Sequence, residues 1–320
     1  MPRPPSLSAD DRRRLCARTV WRGDSSQDED VAEVAAYAER SRGRLAISVE
    51  LVERLLAEHP GLPVLELGAD PWHFTQLLLE RGVVPVTGGL DSGADAGRQR
   101  VTIAWADRRE SFEQHLFDVE RDRWPFADGT FGIVVCMEIL EHLTVSPAHL
   151  LYETNRVLVP GGALLLTTPN ALAAHKLAAL LRGRTVHWAY SGHGVSGRHN
   201  REFTPDEVRL VLEEANFNVR LTMANLAGYE AREPLARGLQ RLAGLLPFAR
   251  ARRRRDHIFA IARKSGPPRL SFPPSLYRSF SRERLRGQGV MLPDEPSVEA
   301  SAEAAGDDRG RAAGRGGPSG

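Results

Sequence analysis

The feature that most constrains the fold is the stretch from His115 to Asn170, HLFDVERDRWPFADGTFGIVVCMEILEHLTVSPAHLLYETNRVLVPGGALLLTTPN. Two apolar runs, Gly132 to Met137 and Ala163 to Thr168, have the length of strands buried on both faces. Between them Pro147 fits a first helical turn, and Leu150, Leu151, Thr154, Val157 and Leu158 recur on one face of a 3.6-residue period. Pro160-Gly161-Gly162 stops the helix. A strand, a helix and a second buried strand imply a right-handed crossover between parallel strands, and so an α/β sheet.

In such sheets ligands lie outside the carboxyl ends of the strands, so Glu138, Glu141, His142, Pro169 and Asn170 border any site. Glu138, Glu141 and His142 stand at i, i+3 and i+4, on one side of a helical turn. The same acids would also complement the dipole of an ordinary helix start.

Upstream, Val64 to Leu67 reads as a strand, followed by Gly68 and a helix from about Phe74 to Arg81. Strand, glycine turn and helix make a cradle of backbone N–H groups. After Gly68 come Ala69, Asp70, Pro71 and Trp72, so the G-x-G-x-x-G fingerprint is absent and a nicotinamide oxidoreductase loses support. Val83 to Thr87 reads as a second strand. Asp91 beyond it is placed for a ribose diol, or is a turn aspartate among glycines. Residues 92–114 carry little pattern beyond one short strand, Val101 to Ala104. Two helices, 28–42 and 45–59, precede the first strand. Thr204-Pro205-Asp206-Glu207 is a capping box. The later strands, Phe217 to Thr222 and His257 to Ala262, lack a crossover helix of the βαβ kind and form an antiparallel flap on the sheet edge, leaving a mostly parallel sheet with an antiparallel last strand.

The boundaries expected are a flexible arm over 1–27, one domain over 28–264 and a largely disordered tail over 265–320. Within the domain, 171–203 is a lid or substrate segment and 223–256 a helical insertion. The insertion ends in a basic knot, Arg250 and Arg252 to Arg255, either an anion or headgroup patch or a solvated loop. Net charge is +2, so the balance demands no polyanion, and only Lys176 and Lys264 among 43 basic residues are lysines, a coding bias more than a nucleic-acid code. Two cysteines make no disulfide framework, and no apolar run reaches about 18 residues, so a soluble cytoplasmic protein is expected.

The blocks WPFADGTFGIVVCMEILEHL, RVLVPGGALLLTTPN and GRHNREFTPDEVRLVLEEANF, in this order, resemble the class I S-adenosylmethionine-dependent methyltransferases of the type-11 or type-23 methyltransferase-domain family. The resemblance covers roughly 64–264 and implies a Rossmann-like doubly wound fold with helices on both faces. It assigns the cofactor to Glu66, Gly68 and Ala69 at its methionine end, to Asp118 and Val119 at the adenine and to Met137 at the neighbouring strand end, while Leu90 stands where the family has its ribose acid and Asp91, the ribose candidate, follows one residue later. Asp70 and Trp72 depart from the family's glycines, and Gly132 replaces its usual aspartate.

Glu138, Glu141, His142 and His199 also resemble an arrangement of O-methyltransferases acting on vicinal hydroxyls, in which two acids and two histidines hold a divalent ion. The competing reading is metal-free, with His142 or His199 as general base. The expected reaction is O-methylation of a sugar, glycan or secondary-metabolite hydroxyl, without DNA and without a membrane span. The alternatives are an N-methyltransferase, an RNA methyltransferase recruiting the arginine knot, and a non-catalytic binding module.

Overall fold

The computed structural model describes residues 7–22, 25–27, 31–89, 97–191, 194–224, 238 and 254–293. In chain order these form α1 (Ala9–Cys16), β1 (Thr19–Arg22), β2 (Ser25–Gln27), α2 (Val31–Glu58), β3 (Val64–Leu67), α3 (His73–Glu80), β4 (Val86–Gly88), β5 (Gly97–Trp105) and β6 (Arg108–Leu116). There follow β7 (Phe131–Met137), α4 (Pro147–Val157), β8 (Leu158–Pro169), α5 (Ala174–Leu181), α6 (Pro205–Glu214), β9 (Phe217–Ala224), β10 (His257–Lys264) and α7 (Arg282–Gly287).

All strands join one sheet in the order β2-β1-β5-β6-β4-β3-β7-β8-β10-β9. Its centre, β6 to β8, is parallel. Successive side chains of β7 face opposite layers: Ile133 and Val135 pack with α2 and α3, Val134 and Cys136 with α4 and α6. This is the α/β, Rossmann-like doubly wound fold, with helices on both faces. β10 runs antiparallel to β8 and β9 antiparallel to β10, the flap expected at that edge. At the other edge β5 and β6 form an antiparallel hairpin extended by β1 and β2, so antiparallel pairing lies on both flanks.

Three expectations change. The arm over 1–27 is ordered where it is described. Ser8 and Asp11 cap α1 reciprocally, Leu15 is buried with α2, and Val20 pairs with Ile103. Leu7 and Leu15 against α2, and two more strands on the sheet, suffice to hold a segment whose sequence is mostly polar. The two expected early helices are a single helix, α2. Gly43 in its interior costs about 1 kcal/mol relative to alanine, which burial of Leu45, Val49, Val52 and Leu55 exceeds. Third, the tail is ordered through 293: Phe272, Tyr277 and Phe280 cluster, Leu285 and Val290 are buried, and Tyr277 hydrogen-bonds Ser146 at 3.1 Å. The remainder of the tail, most of the 223–256 insertion, and Arg250, Arg252 and Arg253 lie outside the described residues.

Candidate active site

The site begins where β3 ends. Gly68 has φ +60° and donates its N–H to the Gly88 carbonyl at 2.9 Å. Gly89 has φ +130°, and a Cβ there would stand 3.4 Å from the Gly68 nitrogen and 4.0 Å from Val119 Cγ1. Two strand ends thus meet through backbone alone, which leaves room for a ligand to approach the main chain closely. A Cβ on Gly68 itself would come within 2.9 Å of Ile139 Cδ1, so the segment after β7 packs directly on this turn.

Trp72 does not plug the turn. Its backbone is left-handed (φ 64°), and its fully buried indole packs 5.5 Å from Phe112 among Val101, Ile103 and Trp105, beneath the β5–β6 hairpin. Ala69 belongs to the same cluster, so its backbone is what it offers a ligand. The departure from the family's glycines is therefore matched by the hairpin, which supplies the aromatic residues that absorb Trp72.

Glu66 lies buried beneath the turn and accepts a 2.7 Å hydrogen bond from Thr75. Burial pushes its carboxyl up to about 8, against the opposing pull of that bond. Asp118 accepts from Glu120 N at 2.8 Å and from Arg121 Nη1 at 2.9 Å, one bond on each oxygen. A carboxylate retains acceptor capacity beyond those two. Val119 adjoins Gly89, Met137 is partly buried at the end of β7, and Asp91 lies outside the described residues.

The segment from Glu138 to His142 divides its acids between two environments. Glu138 has the left-handed φ of 55°, which a non-glycine residue adopts only when its surroundings over-determine it. Its N–H donates to the Thr167 carbonyl at 3.0 Å, and its carboxylate accepts from Thr167 Oγ1 at 2.8 Å. His257 Nε2 stands 3.2 Å from the same carboxylate and Arg44 Nε 3.9 Å. Although burial raises its pKa, the positive charge of Arg44 and then of His257 holds Glu138 down to about 2.

Glu141 faces the other way. It is fully buried, accepts from Thr168 Oγ1 at 3.0 Å, and turns Oε1 toward His142 Nε2 and His199 Nε2, each 3.9 Å away. That oxygen has no hydrogen-bond partner among the described residues. Burial, then the nearby charge of Glu138, raises the Glu141 carboxyl well above its ordinary value. Glu141, His142 and His199 bring ligand atoms within 4.8 Å of one another, a group that could hold a metal ion. Glu138 is not part of this group, which corrects the four-residue set: Thr167, His257 and Arg44 claim its carboxylate.

His199 arrives from the 171–203 segment, which is pinned over the site by Asn200. Asn200 N donates to the Glu141 carbonyl at 2.7 Å and its Nδ2 to the His142 carbonyl at 2.8 Å. The two imidazoles meet edge to face with centroids 4.9 Å apart. His199 Nδ1 lies 3.0 Å from Glu202 Oε1, which also accepts Trp188 Nε1 at 3.2 Å, while Lys176 pairs with Glu202 Oε2. Burial first and the neighbouring His142 next lower His199 to about 4, so its ring is neutral near pH 7. The Trp188 ring lies 3.9 Å from it, tilted by 34°. Arg44, His257, Glu202 and Trp188 were not legible as site residues. The signals they carry are the i, i+3 spacing of His199 and Glu202, and a histidine opening a strand antiparallel to β8.

A left-handed glycine turn after the first central strand of a doubly wound sheet is a ligand cradle of the Rossmann-like kind. The chain belongs to the type-23 methyltransferase-domain family, whose model, described as Methyltransferase domain, matches residues 37–222, and it is an S-adenosylmethionine-dependent methyltransferase. No curated protein matches it in sequence. Among solved structures it is similar to a SAM-dependent methyltransferase from Archaeoglobus fulgidus, at 16% identity and TM-score 0.42 over 72% of this chain and 99% of that one. A possible histamine N-methyltransferase from Thermotoga maritima aligns at 12% identity and TM-score 0.44, over 73% and 96%. The CMeT domain of the citrinin polyketide synthase aligns at 14% and 0.43, over 75% and 58%. Among the described residues no helix is long and apolar enough to cross a membrane.

Proposed function

We propose that the enzyme methylates a hydroxyl oxygen of a sugar, glycan or secondary-metabolite acceptor. The observation that carries this reading is the neutral, half-buried His199, with Nδ1 on Glu202 and Nε2 turned toward Glu141 and His142. A hydroxyl is a poor nucleophile until its proton has somewhere to go, and a positioned neutral imidazole is a suitable acceptor.

Bound S-adenosylmethionine supplies an electrophilic methyl on a positively charged sulfur. The backbone of Gly68 and Gly89 would hold it, with Val119 beside it and Glu66 beneath. With the cofactor bound, His199 Nε2 would take the proton released by the acceptor oxygen as that oxygen receives the methyl group. Alignment of oxygen, methyl and sulfur is the larger part of the task. Glu141, His142 and His199 are also the side chains that would hold a divalent ion, which would lower the pKa of the hydroxyl.

The test is incubation with S-adenosylmethionine and a panel of glycosides, catechols and amines, followed by mass spectrometry and NMR of the product. Gain of one CH₂ on oxygen, lost in His199→Asn, is the expected result. Methylation of nitrogen or carbon alone would overturn the reading. Dialysis against a chelator, with and without added Mn²⁺, separates the metal-assisted version from the metal-free one.

A further inference from the structure

Between Ala171 and Arg201 there is not one Asp or Glu, although the chain carries 41 acids in all. The same span holds Lys176, Arg182, Arg184, Arg198 and Arg201, of which Lys176 pairs with Glu202 and Arg201 with Glu207 just beyond it. Five of the nine large hydrophobic side chains exposed among the described residues also fall here: Leu180, Leu181, Trp188, Tyr190 and Val195. Leu181 is 63% exposed and Tyr190 93%. Apart from half-buried Val186, every residue from Leu180 to Tyr190 is exposed, so the segment stands out from the body of the fold. It is nonetheless held at the candidate site. Trp188 stacks on His199, Asn200 bonds the carbonyls of Val195 and His142, and the Arg198 guanidinium lies 5.2 Å over the Tyr190 ring.

From this combination we infer that Leu180 to Tyr190, with Val195 and Arg198, dock the enzyme on an anionic lipid surface, bringing the site to an acceptor that resides there. The inference rests on the transferase reading of the site and adds where the acceptor is met. Arg182, Arg184 and Arg198, in a stretch with no acid of its own, complement an anionic surface, as they would RNA. The aliphatic residues decide between the two: Leu180, Leu181 and Val195 offer nothing to a base or a phosphate, whereas a bilayer takes them into hydrocarbon. Trp and Tyr favour the headgroup level, where the ring is buried and the polar edge stays wet. Contact of this kind lies on the membrane and needs no spanning helix.

The test uses the full chain with sedimented vesicles of phosphatidylcholine, with and without phosphatidylglycerol. Retention on the phosphatidylglycerol vesicles is expected, weakening with salt, and falling about tenfold or more in Leu180→Asp/Leu181→Asp. Trp72, Trp105 and Trp124 are fully buried and the half-buried Trp21 lies on β1 under the Arg109 guanidinium, outside the docking segment, so a blue shift of tryptophan emission on the vesicles should disappear in Trp188→Phe and persist in Trp21→Phe. No retention, equal retention on uncharged vesicles, or retention indifferent to the leucine substitutions would overturn the proposal. So would retention on RNA with none on vesicles, or light scattering showing a dimer that the leucine substitutions dissolve. None of these readouts involves methyl transfer, so failure here leaves the reaction assignment standing, and failure of the reaction assay leaves the vesicle result standing.

Discussion

Replacing Glu202 by Gln isolates the electrostatics of the His199 dyad with almost no change of shape. In the native protein Glu202 Oε1 accepts from both Trp188 Nε1 and His199 Nδ1, while Oε2 holds Lys176. With Nδ1 carrying the proton, the lone pair is on Nε2, facing Glu141 and the acceptor space. In Glu202→Gln the Lys176 ammonium takes the amide oxygen, and the NH₂ group is turned toward Nδ1. A donor facing Nδ1 makes Nδ1 the acceptor and moves the ring proton to Nε2, where no lone pair then remains. Loss of such an orienting carboxylate typically costs about 10- to 100-fold in activity. The upper end corresponds to about 2.7 kcal/mol of transition-state stabilisation. Two measurements check it: ¹⁵N shifts of His199, which distinguish the tautomers, and kcat from release of the thioether product. Cofactor affinity, read by calorimetry, should hold steady because Glu202 is not at the Gly68 turn. A variant whose tautomer flips while kcat is unchanged would remove His199 from the chemistry. A variant whose tautomer does not flip would refute the account of Glu202.

Gly68→Ala should lose about 1–2 kcal/mol from the left-handed backbone alone, and its Cβ would push Ile139 Cδ1 from its 2.9 Å position. Weakened binding of S-adenosylmethionine by calorimetry is expected, and undiminished binding in a destabilised fold would argue against the cradle. Glu120→Ala leaves the N–H groups of Thr144, Val145 and Ser146 without their buried acceptor. A loss of about 3 kcal/mol or more is expected in urea unfolding with unchanged slope. Glu66 makes stability depend on pH. Folded, it keeps its proton up to about 8 while the unfolded chain releases it near 4.5, so between those values the unfolded state binds fewer protons and stability falls as pH rises. Glu66→Gln should therefore gain on the native protein across that window, by up to about 1.4 kcal/mol per pH unit. A difference independent of pH would contradict it.

The parts legible in the sequence are those whose side chains answer to a single constraint. β3, β7 and β8 are buried on both faces and read as continuous apolar runs, and α4 and α6 carry one apolar stripe behind a serine or threonine cap. The residues after β7 and β8 were placed by the geometry of parallel sheets alone. The β5–β6 hairpin answers to two constraints at once. Its outer ends are exposed and charged while Val101, Ile103 and Phe112 are buried, so neither a strand alternation nor an apolar run dominates over 97–116. The turn at Trp72 was opaque for the same reason, because the residues that make an aromatic tolerable there lie on that hairpin.

The site residues that the sequence does not mark are second partners. Glu202 looks like an ordinary acid ahead of a capping box until the 171–203 segment folds back over β8, and its i, i+3 relation to His199 is meaningful only once His199 is known to matter. His257 shows how such a residue follows from topology. Once β10 is recognised as antiparallel to β8, its first residue must pair near the last residue of β8, and here His257 faces Pro169. A strand that opens at the carboxyl rim of a parallel sheet delivers its first side chain to the ligand side, so a histidine in that position is brought beside the acid after the neighbouring parallel strand. The 3.2 Å contact between His257 and Glu138 is that consequence, and it is what withdraws Glu138 from the histidine pair and leaves Glu141 as the acid facing His142 and His199.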